Sequence, residues 1–241
     1  MQYGSLSRVY DELIYDMPYE KWAEFIFNKI PLGAKALELG CGTGNLTKFL
    51  AKRFDITAID ISEQMLIVAQ EKLRKAGLPV NFVAGDMTDF SLHKPVDCAI
   101  CACDGINYLL TPEKVAKAFS SVRKSLKTGG LFIFDISSEY KLKQMDNQLY
   151  SEDAQNVTYV WRNSFDKATK CINMDITFFV ANNENTYTRF DEVHVQRAHS
   201  VSEIQQLLKD NGFETVSVTE DYSLSEITDE SLRITFCAKA I

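Results

Sequence analysis

The sequence predicts an α/β protein with a doubly wound, mostly parallel sheet of seven strands and an inserted antiparallel β-meander. Three observations predict it. Short apolar runs alternate with amphipathic stretches between Ala34 and Ile136, which is typical of successive βαβ units. A glycine-rich turn at residues 40–44 follows the first apolar run. After Tyr140, apolar residues recur with a period of two, which is typical of half-buried antiparallel strands.

The length and composition limit the classes of protein to which the chain can belong. Its 241 residues suit a single α/β core, because single cores stop growing near ~250 residues. Hydrophobic residues make up 46% and charged residues 24%, a balance typical of soluble globular proteins. The net charge of −7 repels phosphate backbones and anionic lipids, and the N-terminal residues lack the features of a signal peptide. We therefore expect a cytoplasmic protein, monomeric or weakly dimeric, without DNA or membrane partners.

The helices of the first half are predicted by spacing and caps. Apolar residues at helical spacing predict a helix that begins near Tyr19, and a second is expected from about Asn45. Ser62 is an N-cap residue before an amphipathic stretch that ends at Gly77, and Thr111 followed by a proline opens the next helix. Between these helices, apolar runs predict five strands, at residues 34–39, 55–60, 80–85, 96–103 and 129–136.

The second half contains the insertion and the return to the core. Period-two alternation predicts three antiparallel strands with a polar turn at residues 182–185 between the last two; the strands are at 156–166, 171–182 and 185–196. A helix over 201–211 and strands over 213–220 and 232–240 then resume the core. The chain is therefore expected to divide into an N-terminal lid and helix, a core, and an inserted subdomain over the predicted site, at residues 1–30, 31–139 with 199–241, and 140–198.

The strongest local signal is the glycine-rich turn between the first strand and its helix. Gly40, Gly42 and Gly44 stand at alternate positions, which lets the backbone turn tightly and approach a ligand closely. A dinucleotide fingerprint counted from Gly40 needs a glycine where Asn45 stands, and the Gly-Lys-Ser/Thr of a phosphate-binding P-loop is absent. Phosphate-bearing ligands are therefore disfavoured.

Two carboxylates follow the next two predicted strands. Asp60 ends the second strand at the ~20-residue distance from Gly40 that is typical of an acid that binds ribose hydroxyls. Asp86 follows the third strand, where a carboxylate can accept a hydrogen bond from an adenine amine. Either acid alone could equally be a helix cap. Because the carboxyl ends of parallel strands share one edge of a sheet, the ordered set predicts an adenosine site.

Four segments of the chain carry a family resemblance: ALELGCGTGNLT, ITAIDISEQML, AGDMTDF and LKTGGLFIFDI. They resemble the successive motifs of class I S-adenosylmethionine-dependent methyltransferases, and the resemblance extends over nearly the whole chain. The resemblance implies S-adenosyl-L-methionine as the cofactor and S-adenosyl-L-homocysteine as its product. It places Glu38 near the amino-acid part of the cofactor, Asp60 at the ribose, and Asp86 with Met87 around the adenine. Other residues expected to contact the cofactor are Tyr10, Gly40, Cys41, Gly42, Gly44, Ile61, Met65 and Cys103.

Two further segments narrow the resemblance: YGSLSRVYDELIYDMPYEKW near the N-terminus and DEVHVQRAHS after the meander. They are similar to small bacterial methyltransferases related to glycine and aminosugar N-methyltransferases, which carry an inserted antiparallel sheet over the pocket. In that group the Tyr-Asp pair, here Tyr10 and Asp11, lies on a segment that folds over the cofactor. This segment precedes the first strand and carries tyrosines at positions 3, 10, 15 and 19, whose large rigid faces could cover an adenosine. We therefore expect the segment through Tyr19 to be a mobile lid with Tyr10 on its inner surface.

Candidate catalytic residues lie after the fourth strand and in the last strand of the meander. Methyl transfer is an in-line displacement that needs alignment and a dry site, with a base where the acceptor arrives protonated. Residues 103–108, where this fold places groups that face the methyl, lack the Asn/Asp-Pro-Pro-Tyr/Phe motif of adenine and glutamine methylases, so those acceptors are disfavoured. We expect catalytic roles for Asp104, Tyr108 and His194, and substrate contacts from Asn107, Tyr108 and Arg197.

The predicted function is S-adenosylmethionine-dependent methyl transfer to a nitrogen or oxygen of a small molecule. Two alternatives stay open: an RNA methyltransferase, which would need a basic face that the sequence does not display, and a non-catalytic cofactor-binding scaffold. No metal is expected. Cys98, Cys101 and Cys103 lie on one predicted strand, whose residues alternate faces and cannot converge on one ion.

Overall fold

A computed structural model describes residues 7, 9–13, 16–154, 156–182 and 186–241. Its helices are α1 (Tyr10–Leu13), α2 (Tyr19–Phe27), α3 (Thr47–Leu50), α4 (Glu63–Lys75), α5 (Pro112–Ser125), α6 (Glu139–Gln144) and α7 (Val201–Asp210). Its strands are β1 (Lys35–Leu39), β2 (Asp55–Asp60), β3 (Asn81–Ala84), β4 (Val96–Cys101), β5 (Leu126–Ser137), β6 (Leu149–Asp153), β7 (Val157–Asp166), β8 (Cys171–Ala181), β9 (Tyr187–Arg197), β10 (Phe213–Glu220) and β11 (Arg233–Ala240). A 3-10 helix, Gly105–Tyr108, follows β4. Within the described residues, no helix is both long and apolar enough to cross a bilayer.

Seven of the strands form one sheet, in the order β10-β11-β5-β4-β1-β2-β3. The five strands from β5 to β3 run parallel to one another, whereas β11 is antiparallel to β5 and β10 is antiparallel to β11. The other four strands form a separate antiparallel sheet in the order β6-β7-β8-β9. The predicted doubly wound sheet with an inserted antiparallel meander is therefore confirmed.

The predicted caps begin two of the core helices. Ser62 Oγ accepts a hydrogen bond from the Met65 backbone N–H at 3.3 Å, and α4 begins at the next residue. Thr111 Oγ1 accepts one from the Lys114 backbone N–H at 3.3 Å, and Pro112 occupies the first position of α5. These side chains satisfy N–H groups that have no partner within their own helix. The helix expected from about residue 45 is the short helix α3.

The residues of β4 show how both faces of the large sheet are covered. Cys98 and Ile100 lie in an apolar cluster with Trp22 of α2, whereas Cys101 lies in the cluster of the opposite face with Phe119 of α5. Cys98 and Cys101 are completely buried. The alternation of faces predicted for this strand is therefore present, and the two thiols point into different layers of the core.

One connection of the core departs from the doubly wound pattern. The described residues between β3 and β4, numbered 85–95, form no helix. A cavity of about 630 Å³ lies between this connection and the sheet, with Thr57, Val83 and His93 among the residues that line it. One face of β2 and β3 is therefore covered by a loop and not by a helix.

The antiparallel sheet has one strand more than predicted. β7, β8 and β9 correspond to the three predicted strands, whereas β6 and the preceding helix α6 were not predicted. β6 has the sequence LYSED and is mostly exposed, so it lacks the apolar alternation that marks a half-buried strand. β6 forms a strand because it pairs with β7, and not because of an apolar pattern of its own. Of the predicted polar turn, residues 183–185 lie outside the described part of the chain.

Asn107 joins the end of the parallel sheet to the end of the antiparallel sheet. Its Nδ2 donates to the carbonyl oxygens of Ser137 and Arg197, at 3.0 and 2.9 Å, and its Oδ1 accepts from the Ser137 N–H at 2.9 Å. The side chain is completely buried. The 3-10 helix turns this amide inward, so backbone groups use both of its hydrogens, and the substrate contact expected of Asn107 stays a prediction.

We expect Asn107→Ala to lower the free energy of unfolding by about 3 kcal/mol, because it leaves buried backbone groups of β5 and β9 without partners. Urea denaturation measures the change. Asn81→Ala is the matched control, since Asn81 is exposed and its amide makes only a 3.4 Å contact with Thr57 Oγ1. Equal losses in the two variants would show that the bonds of Asn107 contribute nothing of their own.

Candidate functional site

Three segments meet at the carboxyl ends of the parallel strands. The glycine loop, residues 40–44, follows β1, Asp60 ends β2, and the turn of residues 102–104 follows β4. The chain leaves β1 toward β2 on one side and returns to β4 on the other, so the strand order reverses between β1 and β4. Ligands of open α/β sheets bind in the crevice at such a reversal.

Gly42 and Gly44 of the loop are glycines for different structural reasons. Gly42 has a φ of +54°, and nothing lies within 4 Å of the position that a Cβ would take. Gly44 has a φ of +79°, and a Cβ there would lie 2.9 Å from Leu73 Cδ2 and 3.1 Å from Ala69 Cβ. The first glycine leaves open space beside the backbone, and the second allows α4 to pack closely on the loop.

The carboxylate of Asp60 fixes the glycine loop. Its Oδ2 accepts a hydrogen bond from the Gly42 N–H and its Oδ1 accepts one from the Ser62 N–H, both at 2.8 Å. Burial raises the pKa of Asp60 above its ordinary value, and the backbone donors oppose that rise. Each carboxylate oxygen has a second lone pair, so the group can accept further hydrogen bonds. The carboxylate therefore has the capacity to bind the hydroxyls of a ribose.

Glu38 is a buried carboxyl group beneath the same loop. Only 3% of the residue is exposed, and its Oε2 has no hydrogen-bond partner among the described residues. Burial, with a smaller contribution from the nearby Asp60, raises the pKa of Glu38 from 4.5 to about 8. A buried oxygen without a partner is costly unless a ligand uses it. The orphaned oxygen thus fits a cofactor that brings a donor to this side of the loop.

The N-terminal segment covers one end of the crevice. Tyr10 of α1 and Tyr19 at the start of α2 line a cavity of about 30 Å³ together with Cys41 and Cys103. Burial raises the pKa values of Tyr10 and Tyr19 well above their ordinary range. Ligand pockets usually measure about 300–1,000 Å³, so this cavity is too small for a cofactor and the segment closes the space over the glycine loop. Among the predicted lid tyrosines, those at positions 3 and 15 lie outside the described residues.

Asp11 holds α1 on the loop. Its Oδ1 accepts hydrogen bonds from Thr43 Oγ1 at 2.6 Å and Asn45 Nδ2 at 3.0 Å. Its Oδ2 lies 2.7 Å from Lys72 Nζ of α4. We refer to Asp11, Thr43, Asn45 and Lys72 as the latch, because they connect the N-terminal segment to the loop and to the core helix.

The other end of the crevice is open. Ile61, directly after Asp60, is 67% exposed, and Asp86 is also exposed. Asp86 Oδ1 accepts a hydrogen bond from the Thr88 N–H at 2.8 Å. Met87 Cε lies 3.7 Å from the position that a Cβ on Gly40 would take, so this side chain borders the glycine loop.

Met65 lies in an apolar cluster beside the crevice. Its side chain is buried with Val9 of the N-terminal segment and with Val157 and Phe178 of the antiparallel sheet. Tyr10, which lines the cavity over the glycine loop, packs against the same cluster, and the cofactor contact expected of Met65 stays a prediction. Met65 therefore joins three parts of the molecule.

The turn after β4 has an unusual backbone. Cys103 and Asp104 have φ values of +58° and +50°, in the left-handed region that costs non-glycine residues roughly 1–2 kcal/mol each. Asp104 Oδ2 accepts a hydrogen bond from Gln196 Nε2 at 2.6 Å, and its Oδ1 lies 3.0 Å from Arg233 Nη2. Burial alone would raise the pKa of Asp104, but Arg233, Lys141 and Gln196 outweigh it and hold the pKa below its ordinary value. The carboxylate is therefore ionised at neutral pH.

Tyr108 and His194 come together across the junction of the two sheets. Tyr108 Oη lies 3.4 Å from His194 Nδ1, and the two rings meet edge to face with centroids 6.1 Å apart. Burial lowers the pKa of His194 from 6.5 to about 4. The imidazole is therefore neutral at physiological pH, with one nitrogen that donates and one that accepts.

Arg197 is engaged in an ion pair at the end of β9. Its Nη1 and Nη2 lie 3.0 Å from the two carboxylate oxygens of Glu203, and its Nη1 also lies 2.6 Å from His199 Nδ1. A two-pronged pair of this kind uses the guanidinium edge that would otherwise clamp a ligand. In this structure those donors serve Glu203 near the start of α7, and the substrate contact expected of Arg197 stays a prediction.

Three residues of the site were not singled out from the sequence: Gln196, Asp135 and Arg233. Gln196 stands two residues from His194 on the buried face of β9, a position that the period-two pattern could have shown. Asp135, near the end of β5, and Arg233, at the start of β11, are buried charged residues. Charged residues in buried strands require partners. That signal could have indicated that they pair.

Comparison with known proteins shows relatives over the whole chain. Residues 36–130 match a family described as a methyltransferase domain. The Bacillus subtilis protein YqeM, which carries a provisional methyltransferase name, is 34% identical over 99% of this chain and 97% of its own length. A crystal structure titled as an S-adenosylmethionine-dependent methyltransferase from Clostridium acetobutylicum is 35% identical, covers 99% of this chain and 98% of its own, and superposes with a TM-score of 0.89.

A more distant structure shares the fold. CalS10 from Micromonospora echinaspora, titled as an amino pentose methyltransferase with S-adenosylmethionine bound, is 20% identical and has a TM-score of 0.77. The match covers 97% of each chain, so it includes the antiparallel sheet as well as the core. The predicted enzyme class and cofactor are confirmed by the relatives above.

We expect Glu38→Gln to change how stability depends on pH. The folded carboxyl stays protonated up to about pH 8, whereas the unfolded one ionises near pH 4.5. The wild type therefore loses stability as the pH rises between these values, by at most about 1.4 kcal/mol per pH unit. Glutamine does not titrate. The free energy of unfolding of the variant, measured relative to that of the wild type, should therefore increase between pH 5 and pH 8.

Urea denaturation at several pH values measures this difference. Glu214→Gln, on an exposed position of β10, is the control and should differ from the wild type by the same amount at every pH. A Glu38→Gln difference that is also constant would mean that Glu38 is already ionised in the free protein.

Proposed function

The chain belongs to the S-adenosylmethionine-dependent methyltransferases, and from this membership we propose that its acceptor is a small molecule that presents an amine to Tyr108 and His194. When bound, S-adenosyl-L-methionine supplies a methyl group on an electrophilic sulfonium. The observation that carries the proposal is the pair of the half-buried Tyr108 and the buried, neutral His194 beside the ionised Asp104. The residues expected at the cofactor and acceptor, and their roles, form part of this proposal.

The chain would hold the cofactor from both ends of the crevice. Asp60 would accept hydrogen bonds from the ribose hydroxyls, and Glu38 with the loop backbone would bind the amino-acid part under Tyr10. Asp86 and Met87, with the exposed Ile61 beside them, would surround the adenine. The open end and the closed end of the crevice support this division, because adenine is flat and tolerates an open slot, whereas the reacting end needs to exclude water.

The buried face of the antiparallel sheet would form the acceptor side. Glu192, His194 and Gln196 alternate on that face of β9, and less than a tenth of each is exposed. On β7 the same face carries Trp161, which shares the cross-strand partner Ile176 with Glu192. Trp161 Nε1 is buried with no hydrogen-bond partner among the described residues. Carboxylate, imidazole and indole N–H groups together favour a small polar acceptor.

An amine fits this surface better than a neutral hydroxyl compound. Asp104 is ionised and half-buried, and Glu192 stands on the buried face of β9. Carboxylates stabilise a nitrogen as positive charge develops on it during methyl transfer, because opposite charges attract strongly at a site removed from water. The amino pentose methyltransferase CalS10, which has the same fold, supports the same class of acceptor.

His194 would act on the neutral amine and not as a strong base. With a pKa of about 4, its imidazole is too weak a base to take the proton of an alkylammonium ion. The acceptor would therefore enter in its uncharged form, and Tyr108 with His194 would orient the amine by accepting hydrogen bonds from its N–H groups, which leaves the nitrogen lone pair free to attack the methyl group. The pH at which the rate reaches half its maximum should follow the pKa of the acceptor amine.

The test is methyl transfer to matched pairs of small molecules. Purified protein with S-adenosyl-L-methionine is offered amines, including amino sugars, and analogues in which a hydroxyl replaces the amine, and release of S-adenosyl-L-homocysteine is measured. We expect turnover with amines only. Tyr108→Phe and His194→Asn should each lower kcat about 10- to 100-fold, because an aligned hydrogen bond from the amine is lost.

The exposed Tyr187 and His93 supply matched controls, since Tyr187→Phe and His93→Asn remove the same groups far from the junction of the sheets. Both should keep wild-type rates. Turnover with the hydroxyl analogues alone, or methylation of an RNA transcript without any small acceptor, would contradict the proposal.

The N-terminal segment would be the lid of this site. The cavity under Tyr10 and Tyr19 is about 30 Å³, so the segment has to move outward to admit the cofactor. Closure would then exclude water from the reacting end. The latch supports this role, because Asp11 connects the segment to the glycine loop and to Lys72 while α2 remains packed on the sheet.

We expect Lys72→Met to speed the dissociation of S-adenosyl-L-homocysteine about two- to fivefold. Lys72 and Asp11 are partly exposed, and an ion pair of this kind contributes up to about 1 kcal/mol. Stopped-flow measurement of ligand release checks it. Lys75→Met is the control, since Lys75 pairs with Glu71 on the exposed side of the same helix. Unchanged release from the Lys72 variant would mean that the latch does not retain the ligand.

A further inference from the structure

A buried ionic cluster lies directly behind the turn that follows β4. Arg233 of β11 is 9% exposed, and Asp135 of β5 is completely buried. Arg233 Nη1 forms an ion pair with Asp135 Oδ2, and its Nη2 lies 3.0 Å from Asp104 Oδ1. One guanidinium thus bridges a carboxylate in the sheet and a carboxylate in the turn.

Asp135 receives donors from three separate parts of the chain. Besides Arg233, the hydroxyl of Tyr222 donates to its Oδ1 at 2.8 Å, and the backbone N–H of Asp104 donates to its Oδ2 at 3.0 Å. The last bond holds the main chain of the turn and not only a side chain. Asp135 therefore fixes both the position of Arg233 and the backbone at Asp104.

The cluster continues outward to α2. The Arg233 guanidinium lies over the Trp22 ring at 4.9 Å, and the Trp22 ring stacks on Tyr222 with centroids 5.0 Å apart. Trp22 Nε1 donates to Asp221 Oδ1 at 3.3 Å. Aromatic faces and carboxylates therefore surround the guanidinium, which keeps its planar group in one orientation.

The turn itself needs such a support. Cys103 and Asp104 are consecutive non-glycine residues in the left-handed region, and such a backbone persists only when its surroundings determine it. The Asp104 N–H is held by Asp135, and its carboxylate is held by Arg233 on one side and Gln196 on the other. Cys103 of this turn lines the small cavity under Tyr10.

We propose that Asp135 and Arg233 are positioning residues for methyl transfer, which hold the turn of Cys103 and Asp104 in its left-handed conformation at the reacting end of the crevice. The inference rests on the proposed function, which places the acceptor beside Asp104. Asp135 and Arg233 themselves touch neither ligand in this arrangement. Their effect reaches the reaction through the backbone of the turn and the carboxylate of Asp104.

The test uses two variants of different severity. Asp135→Asn removes the charge that pairs with Arg233, and Tyr222→Phe removes one donor to Asp135 while the ring remains to stack on Trp22. Hydrogen exchange of residues 102–108 should accelerate at least tenfold in the first variant and about two- to threefold in the second. If Asp135→Asn does not fold, Tyr222→Phe decides the outcome alone.

Kinetics with an amine acceptor supply the second readout. We expect kcat to fall about tenfold in Asp135→Asn with the KM for S-adenosyl-L-methionine changed less than twofold, because the glycine loop and Asp60 are untouched. Leu208→Ala is the control for lost stability, since Leu208 of α7 is completely buried in the core and its truncation leaves a cavity there. It should lower the melting temperature and leave both the exchange of 102–108 and kcat unchanged.

The proposal is overturned if Asp135→Asn and Tyr222→Phe both keep the wild-type hydrogen exchange at residues 102–108 and the wild-type kcat. This holds whatever the melting temperatures of the two variants are. If the wild type itself methylates no amine, the proposed acceptor class fails. The exchange measurement, which needs no acceptor, still decides whether Asp135 holds the turn.

Discussion

The carboxylate of Asp60 joins the glycine loop to the first turn of α4, and the arrangement of the site depends on that junction. One oxygen holds the Gly42 N–H and the other holds the Ser62 N–H, so a single residue at the end of β2 sets the distance between β1 and the helix that follows β2. Gly44 then permits α4 to approach, since a Cβ there would collide with Leu73. The glycine loop, α4 and the ends of β1 and β2 thus depend on one another for their positions. Together they form the base of the crevice.

Local signals predicted most of the core. Ser62 and Thr111 act as caps in the structure because a cap needs only the few residues that follow it. The strand ends were predicted because buried parallel strands are continuous apolar runs. β6 could not be predicted in this way, since the exposed sequence LYSED is ordered by pairing with β7 and has no apolar pattern of its own.

The parts of the site that lie on a sequence motif with a fixed backbone could be predicted. The direction in which a side chain points, and pairs of residues far apart in the sequence, could not. Asn107 is near the crevice as expected, but the 3-10 helix turns its amide toward backbone groups of Ser137 and Arg197. Nothing in the spacing of residues 103–108 gives that direction. Arg233 and Asp135 are 98 residues apart in the chain. Their pairing depends on β11 lying antiparallel beside β5, which follows from the topology of the whole sheet.

The cluster around Met65 has a consequence for the order in which ligands bind. Val9 packs there against Val157 and Phe178 of the antiparallel sheet, and two residues later Asp11 binds the glycine loop. The short stretch of residues 9–11 therefore contacts both the antiparallel sheet and the glycine loop. In the proposed opening of the lid, this stretch would also uncover apolar surface on the antiparallel sheet, which borders the proposed acceptor side. The proposed acceptor site would then be complete only after the cofactor has bound and the segment has closed. The two ligands would therefore bind in a compulsory order, with the cofactor first.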